Sequence, residues 1–201
     1  MDDDSDIFND IFSHELAIKS PLSSCGCLGK QVGSGVAVDV GTHRGDFAHS
    51  FLSEFNGTLF CVDPYRQGYD DSDPISSGER HLDFLAASNK LMDFLVESRV
   101  EFIIQPSNQA VTRFTANSIN FVHIDGHRKY DSITEDLELW YDKLRVGGII
   151  AGCGIADELG QSWQSEVKEA VMDFVQRLHT PPKVHIICDP DAEWSYYFKK
   201  L

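Results

Sequence analysis

Two hydrophobic periods alternate along the chain. Short runs rich in Val, Ile and Phe read as strands: VAVDV (36–40), TLFCV (58–62), EFIIQ (101–105), NFVHI (120–124), IIAG (149–152), VHIIC (184–188) and WSYYF (194–198). Between them apolar residues recur at helical spacing. Phe47, Phe51, Leu52 and Phe55 form one such face, and Phe84, Ala87, Leu91, Phe94 and Leu95 a second. Ile133, Leu137, Tyr141 and Leu144 form a third, with Ser132 and Glu135 spaced as a capping box, and Val167, Ala170, Val171, Phe174 and Leu178 a fourth. Ile7, Phe8, Ile11, Phe12 and Leu16 predict a short amphipathic helix over 7–19. Pro21 and four glycines make 20–35 a connector. The polar stretch 63–80 reads as loop, and 105–119 holds at most a short helix.

Several strands lack strict in–out alternation, as strands covered on both faces do. The pattern therefore predicts an α/β domain, a mostly parallel sheet with helices on both sides. The short DPDAE turn between the last two strands predicts an antiparallel hairpin at one sheet edge. No internal repeat or second domain is visible. Residues 1–35 read as an acidic tail, a short helix and a connector, and 36–201 as the domain.

Composition narrows the class. The chain has 201 residues, 42% of them apolar and 13 of them Phe, enough for a real core. A net charge of -15 disfavours nucleic acid and anionic membranes as partners. No apolar run approaches the ~20 residues of a membrane span, and MDDDSD lacks the basic start of a signal peptide, so a cytoplasmic location is expected. The five cysteines are odd in number and irregularly spaced, unlike a disulfide framework. Cys25 and Cys27 form a CxC for which no further soft metal ligands are obvious.

The strongest local feature is VAVDVGTHRGDF (36–47), in which Asp39 lies near a strand end and Gly41 and Gly45 bracket the turn into a helix. Gly41 permits a tight turn and close approach of a ligand to backbone, and Gly45 permits close strand–helix packing. A dinucleotide site would carry G-x-G-x-x-G; here Asp39 stands where its first glycine would be. A carboxylate suits a ligand bearing an ammonium group better than a diphosphate. Asp63 ends the next strand at close to the ~20-residue spacing of an acid that accepts hydrogen bonds from ribose hydroxyls. Together these residues favour nucleoside binding over an ordinary strand–helix turn. Ser107 and Asn108 follow the third strand at the same sheet edge.

NFVHIDGHRKYD (120–131) is the next concentration of polar chemistry. Asp125 ends a strand, and His123 shares its face by the two-residue period. His123 reads as a satisfied core histidine. For Asp125 and His127 three readings stand open. His127 is a general base beside Asp125, because imidazole titrates near neutrality; or the two bind a divalent metal; or His127 is structural. A hard metal site would want more oxygen ligands, yet the fifth strand ends in Cys153 and Gly154.

With these residues in view, the chain resembles class I S-adenosylmethionine-dependent methyltransferases. It is most similar to small-molecule and sugar O-methyltransferases whose fourth-strand region reads IDG…Y…DL…W…L…GG. Here that text is HIDGHRKYDSITEDLELWYDKLRVGGIIAG (123–152). The resemblance runs from about Val36 to the C-terminus, including SEVKEAVMDF (165–174) and Trp194. It implies a three-layer Rossmann-like sandwich around a seven-stranded sheet, with the last strand antiparallel beside the sixth. It implies that Asp39, Gly41 and Gly45 serve the methionine side of the cofactor pocket, Asp63 the ribose, Ser107 the adenine, and Asp125 the methionine part or the reaction centre. A homodimer is a family-level expectation.

Two departures qualify it. Many relatives continue the fourth strand as IDG, an acid and then His, where this chain has His127 and Arg128, and many end the fifth strand in a His-Asp or Asp-Asp pair, where it has Cys153 and Gly154. In metal-dependent relatives those acids help hold a divalent ion, so no metal site of that type is expected. The expected function is S-adenosylmethionine-dependent methyl transfer to a small-molecule acceptor, at oxygen, releasing S-adenosylhomocysteine, with His127 and Asp125 at the reaction centre. The alternative is a non-catalytic cofactor-binding or assembly module. A nicotinamide-dependent oxidoreductase is disfavoured by the missing G-x-G-x-x-G.

Overall fold

The computed structural model describes residues 16–68, 79–156, 162–188 and 193–201, with the side chains of 162–165 excepted. Eight strands form one sheet: β1 (Ala17–Lys19), β2 (Val36–Val40), β3 (Thr58–Val62), β4 (Val100–Ile103), β5 (Ile119–Ile124), β6 (Leu144–Ala156), β7 (Val184–Ile187) and β8 (Trp194–Lys199). The described helices are α1 (Leu28–Val32), α2 (Asp46–Leu52), α3 (Arg80–Lys90), α4 (Met92–Val96), α5 (Ser107–Ala110), α6 (Tyr130–Lys143) and α7 (Ser162–Arg177). The strand order is β1-β7-β8-β6-β5-β2-β3-β4. All pairs are parallel except those of β8, which runs antiparallel to both β6 and β7.

Both sheet faces are buried, which explains the weak alternation in sequence. Within β2, Val38 and Val40 join one core with Leu137, Trp140 and Val171 of α6 and α7. Ala37, one residue out of phase, joins the other core with Leu28, Phe51 and Leu91. The same period-two split sends Val122 and Ile124 of β5 to the first core and Phe121 to the second. This is the expected three-layer sandwich.

The differences from expectation are local. The strand count is eight rather than seven, because Ala17–Lys19 pairs with β7. That pairing displaces the end of the helix expected over 7–19; residues 7–15 lie outside the described residues. The terminal hairpin is present, but β1 covers its outer strand and β8 sits inside the sheet. The connector 20–35 contains a 3-10 turn at Cys25–Cys27 and helix α1, and it buries Cys25 and Leu28 against α2. Helix α6 starts at Tyr130, so Ser132 lies inside it and the capping box does not form; Lys129 at the N-cap makes no side-chain cap. Among the described residues no helix is long and apolar enough to cross a membrane.

Candidate functional site

From β2 the chain steps outward through β3 to β4, then returns to place β5 on the other side of β2. Ligands in such sheets collect outside the carboxyl ends of the strands at this reversal. A cavity of about 190 Å³ lies there. Its walls are the strand tips Val40–Gly41, Val62–Asp63 and Asp125–Gly126, closed by Pro106 and the start of α5 at Ser107 and Asn108 and by Ser132, Glu135 and Asp136 of α6.

Gly41 is required by contact as well as by conformation. Its φ is +87°, and a Cβ there would lie 2.2 Å from the backbone oxygen of Asp125. The two strand tips thus meet backbone to backbone, held by the Asp125 N–H donating to the Val40 carbonyl at 2.9 Å. Gly45, at φ +77°, is the N-cap of α2 and packs toward Ala87 and Leu91; it does not line the cavity.

Asp63 lines the cavity and is nearly saturated. Its carboxylate accepts from the backbone N–H groups of His43 (3.0 Å) and Tyr65 (2.8 Å) and, on both oxygens, from the Arg80 guanidinium (2.9 Å each). His43 and Tyr65 both have positive φ, +49° and +44°, which aims those N–H groups at one acid. The Tyr65 hydroxyl donates back to the His43 carbonyl at 2.9 Å. Arg80 continues to Asp83 at 2.9 Å, and Asp83 accepts from Arg44 Nε at 2.7 Å. Arg80 is a cavity residue that sequence reasoning missed, since it opens α3 after a polar stretch that read only as loop.

Asp39 does not reach the cavity. It points to the opposite sheet face, 1% exposed, where Oδ1 meets His123 Nδ1 at 2.8 Å and Oδ2 is buried with no hydrogen-bond partner among the described residues. Period two dictates this: Asp39 shares its face with Ala37, and the register places it opposite His123. His123 stacks on Phe47, ring centroids 3.6 Å apart, and its Nε2 lies 3.4 Å from Cys153 Sγ. Burial opposes charge on His123, but Cys153 and Asp39 outweigh it and push its pKa up to about 10. The Cys25 hydrogen bond, with His123 and Ser195 behind it, holds the Cys153 thiol well below its ordinary range.

Asp125 lines the cavity and also touches the Cys153 side. Burial, then Cys153, pushes its pKa up to about 7, against the pull of Arg128. Arg128 donates to Asp125 Oδ1 at 3.0 Å and to both oxygens of Glu193 at 2.9 and 2.8 Å. His127 lines the cavity too, with Nδ1 3.0 Å from the Ser132 hydroxyl. Ser107 is at the wall, where its hydroxyl donates to Asp136 and accepts from Trp140 Nε1 at 2.8 Å. The structure thus gathers Gly41, Asp63, Ser107, Asp125 and His127 at one cavity and leaves Asp39 and Gly45 behind it.

Asp136 yields a stability test. Burial raises its pKa to about 6, only partly offset by Ser107. A carboxyl raised in the folded state contributes stability in full below its unfolded pKa of about 3.9, and that contribution is lost as pH rises through 6. Asp136→Asn should therefore gain on the wild type by on the order of 2–3 kcal/mol between pH 4 and 7. Denaturant melts at both pH values read this, and a constant difference between the two proteins would refute it.

Comparison with known proteins agrees with this architecture. No curated protein matches the sequence. The O-methyltransferase TomG of Streptomyces achromogenes, solved with its S-adenosylmethionine, is similar in structure at 12% identity and TM-score 0.63, over 96% of this chain and 86% of that one. An O-methyltransferase of Bacillus cereus in complex with S-adenosylhomocysteine is similar at 11% identity and TM-score 0.62, over 98% and 90%. A candidate rRNA methylase of Clostridium thermocellum is similar at 17% identity and TM-score 0.65, over 92% and 99%. At these identities the likeness speaks for the fold. The family model described as a methyltransferase domain matches residues 38–152, from the glycine loop to the end of the fifth expected strand, and the chain belongs to that methyltransferase family.

Proposed function

We propose that the chain transfers the methyl group of S-adenosylmethionine to an oxygen of a small-molecule acceptor in the cytoplasm. The observation that carries this reading is the charge of the cavity. Asp63 and Arg80 pair with each other, which leaves Asp125, Glu135 and Asp136 facing Arg66. Such a wall suits a cofactor with a sulfonium and an ammonium group and disfavours a diphosphate. Two similar structures hold the same cofactor or its product.

In this reading Asp63 serves the ribose. Its acceptor sites are occupied by two N–H groups and Arg80, so cofactor entry draws the guanidinium aside. Asp125 takes the methionine end, the role that sequence reasoning shared with Asp39. Transfer is an in-line displacement: the acceptor oxygen attacks the methyl carbon, the carbon–sulfur bond breaks, and S-adenosylhomocysteine leaves. Positioning supplies most of the acceleration. His127 removes the acceptor proton, with Ser132 orienting its ring through Nδ1.

The test is calorimetric titration with both cofactor forms, followed by transfer from labelled S-adenosylmethionine to a panel of hydroxylated acceptors. His127→Ala should slow transfer by about 10²–10⁴-fold while cofactor affinity stays within a few-fold. Equal rates would remove His127 as base, and absence of binding would remove the cofactor. Binding with no turnover across the panel would favour the second reading, a cofactor-binding module, which Cys153 and Gly154 of β6, standing where relatives carry acidic residues, support.

A further inference from the structure

Behind the cavity lies a cluster of which methyl transfer as described uses only Asp125. His123, Asp125 and Cys153 each offer a ligand atom, and these atoms lie within 4.8 Å of one another. We infer that His123, Asp125 and Cys153 form a binding site for a soft divalent metal of the zinc class, with a fourth position left to water.

Two observations beyond the cluster point to a ligand. The first is spacing. With a zinc–nitrogen bond of about 2.0–2.1 Å and a zinc–sulfur bond of about 2.3 Å, tetrahedral N and S ligands stand about 3.6 Å apart. His123 Nε2 and Cys153 Sγ are 3.4 Å apart. The second is orientation. A metal-bound histidine donates its other ring N–H to a carboxylate or carbonyl, which fixes its tautomer. His123 Nδ1 meets Asp39 Oδ1 at 2.8 Å, Phe47 stacks on the ring, and the second Asp39 oxygen is buried without a partner among the described residues.

The donor set selects the metal. One imidazole and one thiolate with a single carboxylate favour zinc over magnesium or calcium, which take oxygen ligands. The expectation of no metal rested on the missing oxygen ligands at 153–154, and the residues that replace them bring a sulfur donor instead. Surrounding groups are compatible. The Cys25 thiol and the Ser195 hydroxyl (3.4 Å) hydrogen-bond to the Cys153 sulfur, and Arg128 donates to Asp125 Oδ1 at 3.0 Å. Zinc would replace the proton shared between His123 Nε2 and Cys153 Sγ, so binding releases protons.

The experiment uses the full chain. Metal content is measured by mass spectrometry as purified, then after chelator stripping and reloading with Zn²⁺ or Co²⁺ alone. One ion per chain is expected, with a thiolate-to-cobalt charge-transfer band and no displacement by excess Mg²⁺. Cys153→Ser and His123→Gln should abolish the stoichiometric ion and the band. Asp39→Asn should weaken affinity by about 10–100-fold. Cys27→Ser should change nothing. A folded wild type that takes up no ion, or a cobalt spectrum lacking the thiolate band, overturns the inference even if the serine variant fails to fold. None of these readouts depends on methyl transfer, so failure here leaves the proposed function standing, and the reverse holds.

Discussion

Gly41→Ala is expected to cost more than about 4 kcal/mol of stability and to abolish cofactor binding. Two independent penalties add. The residue would keep a φ of +87°, a region that costs a residue with a Cβ on the order of 1–3 kcal/mol. Its Cβ would also sit 2.2 Å from the Asp125 oxygen, 2.6 Å from the Asp125 carbonyl carbon and 2.8 Å from Gly126 Cα. All three neighbours are backbone, so no side-chain rotation relieves the clash, and the tips of β2 and β5 must separate. Those tips are the cavity floor. Chemical denaturation together with cofactor calorimetry checks this; loss of less than about 1 kcal/mol with intact binding would mean the strands do not meet as described. Gly68, also at positive φ but with open space around it, supplies the contrast: Gly68→Ala bears only the conformational penalty.

Arg80→Ala should lower stability by about 3–5 kcal/mol, or the melting temperature by roughly 10 °C. Arg80 is 8% exposed and lies between Asp63 (2%) and Asp83 (6%). Removing it leaves the buried Asp63 carboxylate without its cation and Asp83 with one guanidinium, that of Arg44, and that undercompensated burial dominates the cost. Arg80→Lys should recover part of it, because the charge returns but the two-pronged contact to Asp63 and Asp83 does not. A melting temperature unchanged in the alanine variant would show that the ion-pair chain does not hold the loop.

Both effects involve features of unequal visibility in the sequence. The sheet and its two helical layers were legible because strands buried on both faces and amphipathic helices leave different periods, as VAVDV and the Phe47–Phe55 stripe do. Gly41 and Asp63 were legible because a turn needing positive φ and an acid at a strand tip use few residue types. Asp39 was misplaced for a reason present in the same string. It is two residues from Ala37 and two from Gly41, so period two alone turns it to the second core, but the motif around it suggested the ligand side. The strand Ala17–Lys19 carries too few residues to display a period, and its identity as strand depends on β7, 167 positions on in chain order by the register of Ala17 with Val184. Arg80 and the Cys25–Cys153 contact are likewise products of tertiary pairing. Nothing local in CGC or in ISSGERH announces them.

The placement of β8 bears on how the molecule is made. Apart from β1, which waits for β7, each strand before β8 has a parallel partner already synthesised or next to come, yet β6 and β7 are joined only through Trp194–Lys199, which emerge from the ribosome after both. Until that segment arrives, β6 presents an unzipped flank rich in Ile and Ala, a template for pairing with another nascent chain. Ribosome-bound chains halted before residue 194 should thus depend on holdase chaperones, and release from them should coincide with insertion of this final wedge.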